Sequence, residues 1–264
     1  MGLTMILVIA ALAEETRVVT EHGRQVRRIG TATGLVEVQR DGQRFCLLKS
    51  GVGPKAASRR LEQALQHVRP SLILVVGYAG ALDGRLRLGD LVAIESSSLL
   101  RQLRPASIAA GAPVCEGSWE LPASHRLARM GISAGLAVCC SRGLTSHEVV
   151  GDPLHKKALH RQFGAAVIDM ETAALARVAE SAGIPAGCVR AITDPAGDDF
   201  LKDLSFQSRG ARLRSRLNSL ATGHFFRRMH GWNERAEAAR CSLGQFLDAY
   251  FEGVRAEDPD RKTC

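Results

Sequence analysis

Aromatic side chains are scarce in this sequence, at 5% of 264 residues. A surface that stacks sugars or single-stranded bases on a row of rings needs more of them, so binders of that kind are excluded. The seven cysteines (46, 115, 139, 140, 188, 241 and 264) form no C-x-x-C pair. Their odd number and scattered spacing argue against a disulfide framework or a metal site, and Cys46 and Cys188 lie inside apolar runs; they read as reduced cytosolic thiols. The apolar run at residues 3–13 is too short to span a membrane. It has no basic n-region, and Glu14 and Glu15 follow where a small-residue cleavage site belongs. It therefore reads as a buried strand of a cytoplasmic protein, not as a signal peptide. Internal repeats and low-complexity segments are lacking. Acidic residues are missing from 209–228, which holds Arg209, Arg212, Arg214, Arg216, Arg227 and Arg228 within a chain of net charge +8. Such a run reads as a solvated basic helical face; the sharper alternative is a contact with an anionic membrane surface. No zinc finger, RNA-binding signature or helix-turn-helix pattern points to a nucleic-acid partner.

What is present fits a globular enzyme: 45% apolar and 23% charged residues, in a length suited to one large domain. Residues 5–10 (MILVIA) and 72–76 (LILVV) are continuous apolar runs, as expected of parallel strands buried on both faces. Further strands are expected at 36–39, 45–49, 91–94, 135–140, 165–168 and 187–192, with Asp41-Gly42 as a hairpin turn. Helices are expected at 55–69, 121–130 (capped by Ser124), 153–163 and 170–182, and residues 101–118 read as irregular. Gly183 and Pro185 end the fourth helix. Strands alternating with helices give an α/β fold: three layers, with a mixed, mostly parallel central sheet flanked by helices. Residues 1–200 form its catalytic part. Residues 201–264 form a basic helical extension packed on the same domain, with residues 200–204 as a lid-like loop. An amphipathic helix is expected at 231–254, its stripe of Trp232, Leu243, Phe246, Leu247, Tyr250 and Phe251 packing on the core or on a second copy.

In such sheets ligands bind beyond the carboxyl ends of the strands. Glu15, the glycine turn Gly77-Tyr78-Ala79-Gly80, Glu171 and Asp194 all fall there. Gly51-Val52-Gly53-Pro54-Lys55-Ala56 fits G-x-G-x-x-A between a strand and a helix, which raises a dinucleotide site. The next strand ends in Gly77-Tyr78, however, not in the acid that would hold a ribose. A tight turn offering backbone N–H groups to a small ligand is the better reading. Asp169 at the start of a helix fits a helix cap favoured by the macrodipole, and Glu171 fits that reading and a functional role about equally. Asp194 at a strand end, fixed by Pro195, suits an acid with a tuned pKa, or a turn cap.

Taken in order, these strings resemble the purine nucleoside phosphorylase and uridine phosphorylase superfamily. The matching residues are Ile9-Ala10-Ala11-Leu12-Ala13-Glu14-Glu15, Ser50-Gly51-Val52-Gly53, Gly77-Tyr78-Ala79-Gly80, Leu88-Gly89-Asp90-Leu91-Val92, Asp169-Met170-Glu171 and Arg190-Ala191-Ile192-Thr193-Asp194. The methylthioadenosine/S-adenosylhomocysteine nucleosidases are the nearest branch. The resemblance implies cleavage of the N-glycosidic bond of a purine nucleoside, adenine being the expected base, without a cofactor or a metal. It implies that Glu15 deprotonates water, Asp194 serves N7 of the base, Glu171 orients the ribose hydroxyls and Met170 packs under the ribose. Tyr78, Val149, Val150 and Thr193 would line the substrate, with Glu148 beside the base. Two positions depart from the family: Tyr78 replaces a common Ser or Thr, and Thr193 a common Ser. Phosphorylases of this superfamily often carry Arg before the glycine turn, where Val76 stands here, and a Gly-Asp-Pro phosphate loop, which Glu14-Glu15 replaces. Water is thus the expected nucleophile, with Arg17 as the residue that could still serve phosphate. Gly80-Ala81-Leu82-Asp83, Asp194-Pro195-Ala196 and the basic tail also resemble hopanoid-associated phosphorylases. That keeps open phosphorolysis of a lipid-tailed nucleoside such as adenosylhopane, peripheral to the inner membrane. A non-catalytic nucleoside-binding protein is the third reading. The family resemblance implies a homodimer or higher oligomer.

Overall fold

The apolar run after residue 5 becomes β1 (Ile6–Ala10), every residue of which is buried. Alternate side chains enter opposite layers: Ile6, Val8 and Ala10 join one core cluster, Leu7 and Ile9 the other. In the computed structural model, residues 5–30, 34–40, 42–101, 113–199 and 232–257 are described. The arginine-rich segment 209–228 and the lid-like loop 200–204 lie outside the described residues.

The elements follow one another as β1, α1 (Ala13–Thr20), β2 (Gly23–Ile29), β3 (Leu35–Arg40), β4 (Gln43–Lys49), α2 (Pro54–Leu65), β5 (Leu72–Ala81), β6 (Leu91–Leu100), β7 (Cys115–Glu120), α3 (Ser124–Ser133), β8 (Val138–Thr145), α4 (Pro153–Phe163), β9 (Val167–Asp169), α5 (Thr172–Ser181), β10 (Ala186–Asp194) and α6 (Trp232–Glu257). All ten strands join one mixed sheet. Its centre is parallel: β4, β1, β5 and β10 run side by side in the same direction. β10 then pairs antiparallel with β6, β6 parallel with β8, and β8 parallel with β9. β9 returns antiparallel to β5, so five strands close a ring. The outer meander β2–β3–β4 is antiparallel.

Helices α2 and α5 cover one face through Ala57, Leu61, Ala64, Leu175, Ala176 and Ala179. The other face is covered by α1, α3 and α6 through Val18, Leu127, Leu243, Phe246 and Phe251. Three layers and a mixed sheet are thus the architecture that the alternating pattern predicts. Leu243, Phe246, Leu247, Tyr250 and Phe251 of the α6 stripe pack on the core: Phe251 stacks on Phe45 with centroids 4.8 Å apart, and buried Arg40 binds Asp248. Gln43 Nε2 donates to the Phe251 carbonyl. Among the described residues no helix is long and apolar enough to cross a membrane.

Several expectations need correction. Residues 115–118, read as irregular, belong to β7, which pairs with β6. Its period-2 pattern turns Cys115, Gly117 and Trp119 inward, and the small Gly117 hides that pattern in the sequence. The basic strand β2 and helix α1 were not expected. Three arginines on β2 face outward, so it carries no apolar signal. Ser124 is not the cap of α3. Ala123 occupies that position, and the Ser124 hydroxyl accepts the N–H of Cys188 instead. Gly77 to Gly80 is not a turn, because β5 continues through Ala81.

Candidate active site

The two glycines of β5 are explained by what crosses them. A Cβ on Gly77 would lie 2.5 Å from Glu15 Oε1 and 2.4 Å from Arg190 Nη1. One on Gly80 would lie 2.6 Å from Asp194 Oδ2. The strand is bare at these positions so that charged side chains can approach its backbone.

Glu15 sits in the first turn of α1, just beyond β1, and is 2% exposed. Its Oε2 accepts the N–H groups of Ala11 and Leu12, each at 2.8 Å. Its Oε1 accepts the N–H of Tyr78 at 2.9 Å. Burial raises the carboxyl pKa, while Arg190 and these three N–H groups pull it back. One acceptor position on Oε1 is left for a ligand.

Glu171 precedes α5. Its Oε1 accepts the N–H of Gly53 at 2.8 Å, and its Oε2 lies 3.5 Å from Arg190 Nη2. Burial pushes it up to about 8 against the pull of Arg190, with Asp169 adding to the rise. The Gly51–Gly53 turn therefore does not leave all its N–H groups to a ligand, because Gly53 already holds the protein's own carboxylate. Asp169 fulfils the capping reading: Oδ1 accepts the N–H groups of Glu171 and Thr172, each at 3.2 Å, and the Thr145 hydroxyl at 2.8 Å. Its Oδ2 binds the Thr172 hydroxyl and, at 2.8 Å, Arg190.

Asp194 ends β10. Its Oδ1 accepts the Thr193 hydroxyl at 3.0 Å, and its Oδ2 lies 2.7 Å from Lys156 Nζ. Burial raises this carboxyl, and the Lys156 ammonium opposes the rise. Tyr78 packs in the core with its phenol pKa raised by burial and then by Glu15, so it stays protonated.

A cavity open to solvent joins these groups. All eight residues anticipated from sequence line it: Glu15, Tyr78, Val149, Val150, Met170, Glu171, Thr193 and Asp194. Glu148 lines it too, in a loop held by Ser146, whose Oγ accepts the Glu148 N–H at 3.0 Å. Glu15, Glu148, Asp169, Glu171 and Asp194 put five carboxyl groups in the wall, and no Lys, Arg or His is in it among the described residues. Arg17, the residue that could have served phosphate, is exposed on α1 and outside the cavity.

Two cations lie behind that wall, and sequence reading gave neither a role. Arg190 is fully buried in β10; an Arg inside an otherwise apolar strand run was the signal, since a buried guanidinium must be paired. Lys156 is 0% exposed on α4. Its only sequence signal is its place at i, i+3 with Leu159 on the inward face of that helix.

The chain matches the phosphorylase superfamily model over residues 5–223. Solved structures are similar as well. The 5'-methylthioadenosine/S-adenosylhomocysteine nucleosidase of Neisseria meningitidis, in complex with methylthio-immucillin-A, superposes with a TM-score of 0.70 at 16% identity, covering 95% of this chain and 100% of that one. The Campylobacter jejuni nucleosidase of the same kind gives 0.68 at 17%, covering 94% and 99%. Futalosine hydrolase of Helicobacter pylori gives 0.64 at 19%, covering 93% and 97%. At such identities the likeness speaks for the shared fold, while the family model takes in most of the chain; this protein is a member of the phosphorylase superfamily.

Proposed function

We propose that this protein is a purine nucleosidase, cleaving the N-glycosidic bond of a nucleoside with water, adenine being the expected base. The observation that carries the reading is the charge of the cavity wall: five carboxyl groups and, among the described residues, no cation. Phosphate binding calls for Arg, Lys or a cluster of free N–H groups. Among the described residues this wall offers a phosphate no cation, and it suits a neutral nucleophile beside a developing cation. Structural relatives named for the hydrolysis of methylthioadenosine, S-adenosylhomocysteine or futalosine support the class of reaction and leave the 5' substituent open.

The chemistry follows from the positions. As the C1'–N9 bond breaks, its electron pair goes to the base and positive charge spreads over C1' and the ring oxygen. Glu171 hydrogen-bonds the ribose hydroxyls and sets its carboxyl group against that developing cation. Asp194 gives a proton to N7, so the base leaves neutral. Glu15, with its open Oε1 position, receives the proton of the water that adds to C1'. Met170, Val149, Val150 and Tyr78 supply apolar contact for ribose and base, and Thr193 holds the Asp194 carboxyl.

Product chromatography on a panel of nucleosides, with and without phosphate, tests the reading. Free adenine and a free pentose derivative formed without phosphate are expected. Cleavage only with phosphate, giving ribose 1-phosphate, would replace it with phosphorolysis. Nucleoside binding without release of base would leave a binding protein.

A further inference from the structure

Lys156 has no part in the reaction just described, yet it touches one of its groups. Helix α4 starts at Pro153, with the Asp152 carboxylate accepting the His155 N–H at 2.7 Å, and this start turns Lys156 and Leu159 inward. The Lys156 ammonium lies 2.7 Å from Asp194 Oδ2, 3.1 Å from the Pro195 carbonyl and 3.5 Å from the Asp194 carbonyl. An ammonium has three hydrogens, and three oxygens surround it. Asp194 lines the cavity and Lys156 does not, so the lysine reaches the carboxyl from behind. A helix can be anchored with an apolar side chain; a buried charge is costly unless paired, and this one is paired with a group facing the ligand.

We propose that Lys156 is a positioning residue for leaving-group departure: it fixes the Asp194 carboxyl by one oxygen and stabilises the carboxylate that remains once the proton has passed to the base. The proposal rests on the nucleosidase reading above. The balance is simple. Asp194 O–H gives its proton to N7, the base takes the C1'–N9 electron pair and departs neutral, and Asp194 is left as the anion of an ion pair with Lys156. Solvent restores the proton before the next turnover.

The groups facing Asp194 fix the sign of the effect. Lys156 comes from α4, the Thr193 hydroxyl from β10, and Arg235 from α6, where it is paired with Asp198 at 2.8 Å. Burial raises the Asp194 pKa and both cations lower it. Without Lys156 the carboxyl becomes a weaker acid. It holds its proton to higher pH and passes it on more slowly.

The test is the pH profile of Lys156→Met. Its alkaline limb in kcat/KM is expected to move up by about one to three pH units, the effect of an adjacent cation on a carboxyl. Its kcat at the plateau should fall while KM changes little. Lys156→Arg, which keeps the charge, should restore the limb. In an Asp194→Asn background Lys156→Met should cause no further loss of kcat. An unmoved limb, or full additivity in the double variant, would reduce Lys156 to a structural anchor. If Lys156→Met does not fold, Lys156→Gln carries the same tests. The Asp194 titration can also be followed without turnover, by carbon NMR of isotope-labelled aspartate with Asp194→Asn as the assignment control. No base released by the wild type overturns the nucleosidase reading. An Asp194 titration that Lys156 variants leave in place overturns this one.

Discussion

The two ends of the cavity hold their carboxyl groups by different means. At the end proposed above for the sugar, the main chain does most of the work: Glu15 is bound by three backbone N–H groups and Glu171 by a fourth, with Arg190 behind Glu171. At the end proposed for the base, Asp194 is bound, among the described residues, by side chains alone, Thr193 and Lys156. Backbone donors come with any chain that turns from β1 into α1 or runs along β5, so the sugar end asks of the sequence little more than a carboxyl group and a bare glycine. The base end depends on one particular side chain from another helix, and a single substitution can retune it.

Neutral amides at the two ends should break this comparison most forcefully. Glu15→Gln and Asp194→Asn are each expected to lower kcat by roughly 10²–10⁴-fold, the contribution of a positioned acid or base. Their effects on the fold should differ. Gln offers one acceptor oxygen to three N–H donors, so Glu15→Gln should also cost about 1–3 kcal/mol, the penalty of an unsatisfied buried donor. Asn at 194 can still accept from Lys156, and its stability should stay near wild type. Chemical denaturation beside single-turnover kinetics reads both. Equal stabilities would show that the backbone donors at Glu15 do not hold it as described.

Arg190 is the next largest effect. It is the cation of the sugar end and pairs Asp169 at 2.8 Å as well as Glu171. Arg190→Met leaves those carboxyl groups buried without it and should destabilise by about 3–5 kcal/mol, measured by denaturant unfolding. A loss below about 1 kcal/mol would mean that the neighbours simply take up protons. The glycines come after it. Gly77→Ala and Gly80→Ala should each cost about 1–3 kcal/mol through overpacking. Gly77→Ala displaces Glu15 and Arg190, whereas Gly80→Ala pushes Asp194 from its lysine. Crystal structures of the two variants should show these different displacements.

This contrast also explains what could be read from sequence. The buried strands β1, β5 and β10 are legible because a strand covered on both faces needs an unbroken apolar run. Their ends, and with them Glu15 and Asp194, follow from the same runs. The meander strand β2 was not legible, since its outward arginines leave no apolar face. The glycines of β5 looked like a turn because their reason, the approach of Glu15, Arg190 and Asp194, is tertiary. Asp169 was legible as a cap because capping is local. Lys156 was not legible, because its partner lies 38 positions away and no local rule marks a lysine as buried.

The last effect concerns Glu171 and carries the clearest sign. Burial holds its pKa near 8 in the folded protein, above the ordinary 4.5. Below the unfolded pKa both states are protonated and the group contributes nothing to the pH dependence of stability. Between the two values the unfolded chain gives up its proton while the folded one must keep it or bear a costly buried charge. Wild-type stability therefore falls as pH rises from 4.5 towards 8, and levels off above it. Glu171→Gln has nothing to ionise and can still accept the Gly53 N–H through its amide oxygen, while Arg190 keeps Asp169 as its partner. The variant should match the wild type near pH 4.5 and become progressively more stable than it as the pH rises towards 8.5. Its kcat should fall, because the ribose loses the carboxyl group that orients it. Thermal unfolding across that pH range gives the answer: a gain that is flat with pH would mean Glu171 is ionised throughout, held by Arg190 as firmly as Glu15 is held by the backbone.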